Sequence, residues 1–173
     1  DIWMSKRRAK RKWGLPSNKL PSLNNKGNNA VVGIDEEGKK IFLLNSYRSK
    51  KGRLAGVALS EKEAGLWLEP FDMNITPLVG QKFNFYDLWM VPEGNILIVA
   101  VKNEQAIGKE DLFVSLKDET TLSWSPLIHL GNKINTRGFE IAPFLNSTQD
   151  TLFFASNGHG GQGDSDIFYS VRL

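Results

Sequence analysis

The sequence predicts an all-β protein assembled from about three repeats of roughly 55 residues, and three observations predict it. Ser5, Ser60, Ser115 and Ser170 close four similar pentads at equal intervals of 55 residues. Two apolar runs flank a turn-forming stretch in each unit, the pattern of a β-hairpin. No stretch of ten or more residues carries helical periodicity, and Glu61-Lys62-Glu63-Ala64 amounts to at most one turn of helix in a loop.

Each element follows from these landmarks. The pentads Asp1-Ile2-Trp3-Met4-Ser5, Gly56-Val57-Ala58-Leu59-Ser60, Asp111-Leu112-Phe113-Val114-Ser115 and Asp166-Ile167-Phe168-Tyr169-Ser170 read as one recurring strand. A tryptophan follows each of the first three (Trp13, Trp67, Trp124), with a proline two or three residues on (Pro16, Pro70, Pro126), and marks a further short strand. Recurrence at one position predicts one packing role per unit rather than sugar-stacking platforms. Turns around Gly38, Gly94 and Asp150 separate inner strands (30–34, 85–91, 141–145) from near-continuous apolar runs, Ile41–Leu44, Ile96–Val101 and Leu152–Ala155, that read as strands covered on both faces. Four antiparallel strands per unit is the arrangement of a β-propeller blade, whereas β-helix coils are much shorter than this repeat. The predicted division is a partial blade over 1–23, blades over 24–78 and 79–134, and a partial blade over 135–173. About three blades are fewer than the roughly four a closed ring takes, so the sequence predicts a segment of a larger propeller or an open array completed by a partner, with two copies completing a ring as the lesser alternative.

At these residues the chain resembles the TolB-type, WD-repeat-like β-propeller family. The resemblance is strongest from Trp124-Ser125-Pro126 through Glu140-Ile141-Ala142-Pro143-Phe144 to Ser156-Asn157-Gly158-His159-Gly160-Gly161 and Asp166-Ile167-Phe168, and looser in the first two units. In the second unit Lys102-Asn103-Glu104-Gln105 replaces the Ser-Asn-Gly loop. Similar blades occur in OmpA-family outer-membrane lipoproteins of Bacteroidetes-like bacteria. The resemblance implies a periplasmic or outer-membrane-associated location and, as partner, another envelope protein or a cell-wall polymer.

Chemistry-bearing motifs are sparse. Gly158-His159-Gly160-Gly161-Gln162-Gly163 matches the dinucleotide fingerprint formally, but a strand, not a helix, follows it, so the glycines are expected to shape a loop. Asp164 and Asp166 are weak candidates for a Ca²⁺ site; calcium takes about six to eight oxygens, and no full ligand series stands around them. The repeated aspartates Asp1, Asp111 and Asp166 are expected to accept backbone N–H groups where a strand begins. His129 and His159 lack zinc-site spacing, and no Gly-x-Ser-x-Gly elbow is present. Aligning the turns puts Asn28, Asn84 and Glu140 at one position near the channel mouth of a propeller, and with the off-pattern Trp89 they form the candidate binding residues.

Composition excludes several classes. The 173 residues contain no cysteine, which rules out disulfides and thiolate chemistry. Of 22 basic residues, six lie between Lys6 and Lys12; the remaining 16 face 19 acidic residues, so the rest of the chain is net −3. A single basic run reads as a solvated loop rather than a nucleic-acid groove. No apolar run approaches the roughly 20 residues of a membrane span. The expectation is a non-catalytic scaffold for protein or envelope interactions, without cofactor; the alternative is a carbohydrate-binding or carbohydrate-active propeller.

Overall fold

The computed structural model describes residues 1–48 and 54–172. Among these residues the chain is all β, with fourteen strands, no helix and four antiparallel sheets. It divides into two compact units, Asp1–Asn74 and Ile75–Leu173.

In the first unit, β1 (Arg7–Ala9) and β2 (Lys12–Trp13) form a separate hairpin. The basic run, read as a loop, is therefore a hairpin, and its residues remain exposed. Strands β3 (Val31–Ile34), β4 (Lys40–Leu44) and β5 (Val57–Glu63) form a meander. β5 pairs through Lys62 and Glu63 with β6 (Leu66–Trp67) and through Ala58 and Leu59 with β7 (Phe71–Asp72). The fourth strand is thus broken where Leu68 to Pro70 intervene, because proline supplies no ladder donor. The β3–β4 turn is tied by Asp35, whose Oδ1 accepts the Lys39 and Lys40 amides at 2.7 and 3.0 Å. Leu23, Ile41, Leu43 and Ala58 form the core, with Ile2, Leu20, Tyr47 and Trp67 packed against it.

The second unit holds two sheets. β8 (Tyr86–Met90), β9 (Ile96–Val101), β10 (Asp111–Leu116) and β11 (Ile128–His129) make a four-stranded one; β12 (Glu140–Leu145), β13 (Thr151–Ser156) and β14 (Asp166–Val171) make a three-stranded one. They stack face to face: Ile98, Ala100 and Leu112 of the first sheet bury against Leu152 and Phe154 of the second, with Val114, Leu145 and Phe168 at the margins. Pro143 sits in β12 where the register slips between Ile141 and Phe144, a bulge being the place where a strand tolerates proline.

A hydrogen-bond device explains the repeated serine. Ser60 pairs with Ile41, Ser115 with Leu97 and Ser170 with Leu152, the same rung of each ladder. The Ser5, Ser60 and Ser115 hydroxyls donate to the carbonyls of Gly14, Leu68 and Ser125 at 2.6, 2.6 and 2.7 Å, in each case the residue after the repeated tryptophan. A serine inside a strand keeps its hydroxyl satisfied this way and clasps the outer segment to the sheet. The repeated pentad is less uniform than its sequence: Asp1–Ser5 contributes one bridge, Met4 to Ser17, rather than a strand.

Three expectations need correction. Glu61-Lys62-Glu63, expected as at most one turn of helix in a loop, lies in β5, where Glu61 pairs with Lys40 and Lys62 with Trp67. Leu152–Ala155 is covered on one face only, since Phe153 is 38% exposed while Leu152 and Phe154 are buried. The tryptophans do not share one packing role: Trp124 is 7% exposed and Trp67 packs on its core, but Trp13, on a hairpin that joins no larger sheet, is 69% exposed.

Candidate functional site

The most chemically rich cluster lies in the second unit and is buried. Asp111 is fully buried at the start of β10. It accepts the Ile107 and Gly108 amides at 2.7 and 3.3 Å, and His129 Nε2 lies 2.8 Å from its Oδ2. The Gly131 amide donates to His129 Nδ1 at 3.0 Å, which assigns the ring proton to Nε2, where it is donated to Asp111. Asn135 bonds both the N–H and the C=O of Leu112, at 2.7 and 2.9 Å, as a substitute strand. Glu140, also fully buried, accepts Thr136 N–H and Oγ1–H and the Ser156 hydroxyl at 2.9, 2.6 and 2.7 Å. Each carboxylate is thus sequestered and committed to donors of the chain itself, which suits it to fixing loops rather than to meeting a substrate. Backbone crowding fits the same role: a Cβ on Gly108 would lie 2.4 Å from the carbonyl oxygens of Gly138 and Thr136.

The sequence-predicted residues fall into different surroundings. Asn84 is exposed, Trp89 half-buried and Glu140 interior. Asn28, in the first unit, is exposed, and its carbonyl accepts a bond from the Asn45 side-chain Nδ2 at 2.9 Å. The alignment that grouped them shifts by a residue. Gly38, Gly94 and Gln149, not Asp150, occupy the equivalent turn position, with φ of 66°, 72° and 56°. Each donates its N–H to the carbonyl three residues earlier. Asn29 rather than Asn28 then matches Glu140, since each accepts the amide four residues upstream, from Asn25 and Thr136. Asp166 Oδ2 accepts the Gln162 and Gly163 amides at 2.9 and 3.2 Å, the role Asp111 fills 55 residues earlier, as expected of these two aspartates, whereas Asp1 starts no strand and accepts from the Asn18 side chain at 3.3 Å. Among the described residues no group of three or more His, Cys, Asp or Glu side chains is placed to hold a metal ion.

What sequence reasoning missed is a surface. Trp89, Phe144, Phe153 and Tyr169 form a row of rings across β8, β12, β13 and β14, with successive centroids 4.8, 6.1 and 6.1 Å apart. Beside them Ile167 is 80% exposed. The Trp89 indole N–H is buried without a hydrogen-bond partner, a cost accepted to hold that ring edge-on against Phe144. The signal was available: strict alternation in Asp166-Ile167-Phe168-Tyr169-Ser170-Val171 puts Ile167, Tyr169 and Val171 on one face.

Fold and site define an all-β protein with an open aromatic sheet face and internal carboxylates. No protein-family model, curated protein or solved structure matches the chain. No helix among the described residues is long and apolar enough to cross a membrane.

Proposed function

We propose that this chain is a non-catalytic scaffold of β-propeller-type blades, of the TolB-like, WD-repeat-like kind it resembles, which holds another envelope protein or cell-wall polymer in a periplasmic or outer-membrane-associated assembly. One observation carries the reading: the sheets holding Ser60 and Ser115 reuse the same serine clasp, and in the second unit the latter sheet stacks face to face on another, as repeat scaffolds do. The row ending at Tyr169 then serves as binding surface, since exposed apolar patches of this kind mark interaction sites. Co-sedimentation with insoluble cell-wall polymer, and light scattering for association above the 19.4 kDa chain mass, test it: the reading expects association in at least one of the two, lost in Tyr169→Lys. Persistence of the association in that variant would count against the surface. The carbohydrate-active alternative is favoured by the same rings, which suit sugar stacking. Release of reducing ends from cell-wall polysaccharide would install it in place of the scaffold.

A further inference from the structure

One turn recurs ahead of β3, β8 and β12: the amides of Leu23, Leu78 and Ile134 each bond the carbonyl three residues back, on Leu20, Ile75 and Gly131. Beside two of these turns a ring from the loop after the central strand acts as a plug. Tyr47 packs on the core of its sheet and donates its hydroxyl to the Leu23 carbonyl. His159 lies against Phe154 and Phe168, and its Nε2–H donates to the Ile134 carbonyl at 2.7 Å. The sheet of β8 to β11 has no such ring. Counted from the rung of the repeated serine, Tyr47 stands six residues past Ile41, and Asn103 stands six past Leu97. Asn103 turns back into its own loop, where its Oδ1 accepts the Gln105 amide at 2.8 Å, and the Leu78 carbonyl takes the Gln81 amide instead. Between that turn and the 102–105 loop lies a cleft of about 720 Å³, walled by residues within 76–127 alone.

We propose that this unplugged cleft takes a pyranose ring bearing a carboxylate, one unit of an acidic glycan. A phenol or an imidazole brings a single donor to its seat, whereas here Gln81, Asn103 and Gln105 bring amide side chains from both sides, which suits a ring with several hydroxyls. Phe83 and Pro126 give that ring's C–H face an apolar wall, the mixture of surfaces that small-ligand sites of about 300–1,000 Å³ present. The charge follows from Lys82 and Lys102, which line the cleft with Glu104 as their only opposing charge. Both lysines are exposed, and neither is in an ion pair among the described residues. An ammonium left in this way bonds a carboxylate by charge-assisted hydrogen bonds. The cleft stands apart from the aromatic row and requires no self-association.

Methyl β-glucuronide and methyl β-galacturonide are the probes, titrated into the intact chain beside the matching uncharged glucoside and galactoside, with amide shifts followed by NMR. The expected result is saturable binding of a uronide that shifts Gln81, Phe83 and Gln105. It weakens about tenfold or more when Lys82→Gln and Lys102→Gln are combined, the loss that goes with hydrogen bonds to a charged group. Both side chains are exposed, so these substitutions leave the core untouched. Asn103→Tyr, which supplies the ring that the other loops carry, is expected to abolish binding. Equal binding of the uncharged glycosides, no shifts at millimolar uronide, or binding that persists undiminished in the lysine variant or in Asn103→Tyr would each overturn the proposal. Tyr169→Lys is expected to leave uronide binding unchanged, so the cleft and the aromatic row fail or stand separately.

Discussion

The two sheets of the second unit share a ladder pattern and differ in exposure. β9 and β10 are buried almost throughout, with Val99, Ala100, Leu112 and Phe113 inaccessible, whereas β14 alternates half-buried and exposed residues along its length. Ile98 and Phe153 stand on equivalent rungs, pairing with Val114 and Tyr169, yet Ile98 is 4% exposed and Phe153 38%. An apolar run thus fixes that a segment is a strand; the neighbour that stacks on it fixes whether one face or both are covered.

Breaking the covered face gives the largest effect. Phe154→Ala, in the core between the sheets, is expected to lower stability by about 3–5 kcal/mol in chemical denaturation, while Phe153→Ala, one residue away on the open face, costs under about 1 kcal/mol. Equal losses would mean that both faces are covered in solution. Next comes the loop lock: Asn135→Ala strips two partners from the buried Leu112 backbone and is expected to cost about 2–4 kcal/mol, with faster amide exchange at Leu112. A smaller contrast separates the serines. Ser115→Ala loses its bond to Ser125 at a cost of about 1 kcal/mol, whereas Ser170→Ala, at the sheet edge, is expected to leave the melting temperature unchanged.

A last effect, confined to alkaline pH, lies in the other unit, where Tyr47 helps cover the core and donates its hydroxyl to the Leu23 carbonyl at 2.5 Å. Burial pushes its phenol up to about 12 from 10.0. The neutral form is favoured in the fold, so this contribution is complete below pH 10 and is lost as pH rises through about 12. Tyr47→Phe should flatten the alkaline limb of a stability profile, and an unchanged limb would remove the phenol as its cause.

Much of this was legible beforehand. The serine interval marked one rung shared by three ladders, and the apolar runs located β4, β9 and β13 within a residue or so. The clasp was not legible, because its acceptor is a main-chain carbonyl and Gly14, Leu68 and Ser125 share no side chain. Asn24, which bonds both backbone groups of Ile2 as Asn135 bonds those of Leu112, escaped notice because Val79 holds the intervening place in the same turn. The grouping of Asn28 with Glu140 failed on one residue, since Gln149 adopts the left-handed conformation that glycine takes in the other turns. Nothing local in Leu152–Ala155 records which face a second sheet will cover.

The clasp also sets how the chain can be re-engineered. A donor that recognises only peptide backbone imposes no sequence on what it holds, so the demand on each clasped segment reduces to the tryptophan it seats, Trp67 in one and Trp124 in the other. Exchanging residues 64–70 for 119–126 is a graft in which the receiving serine keeps its bond while the incoming exposed side chains change.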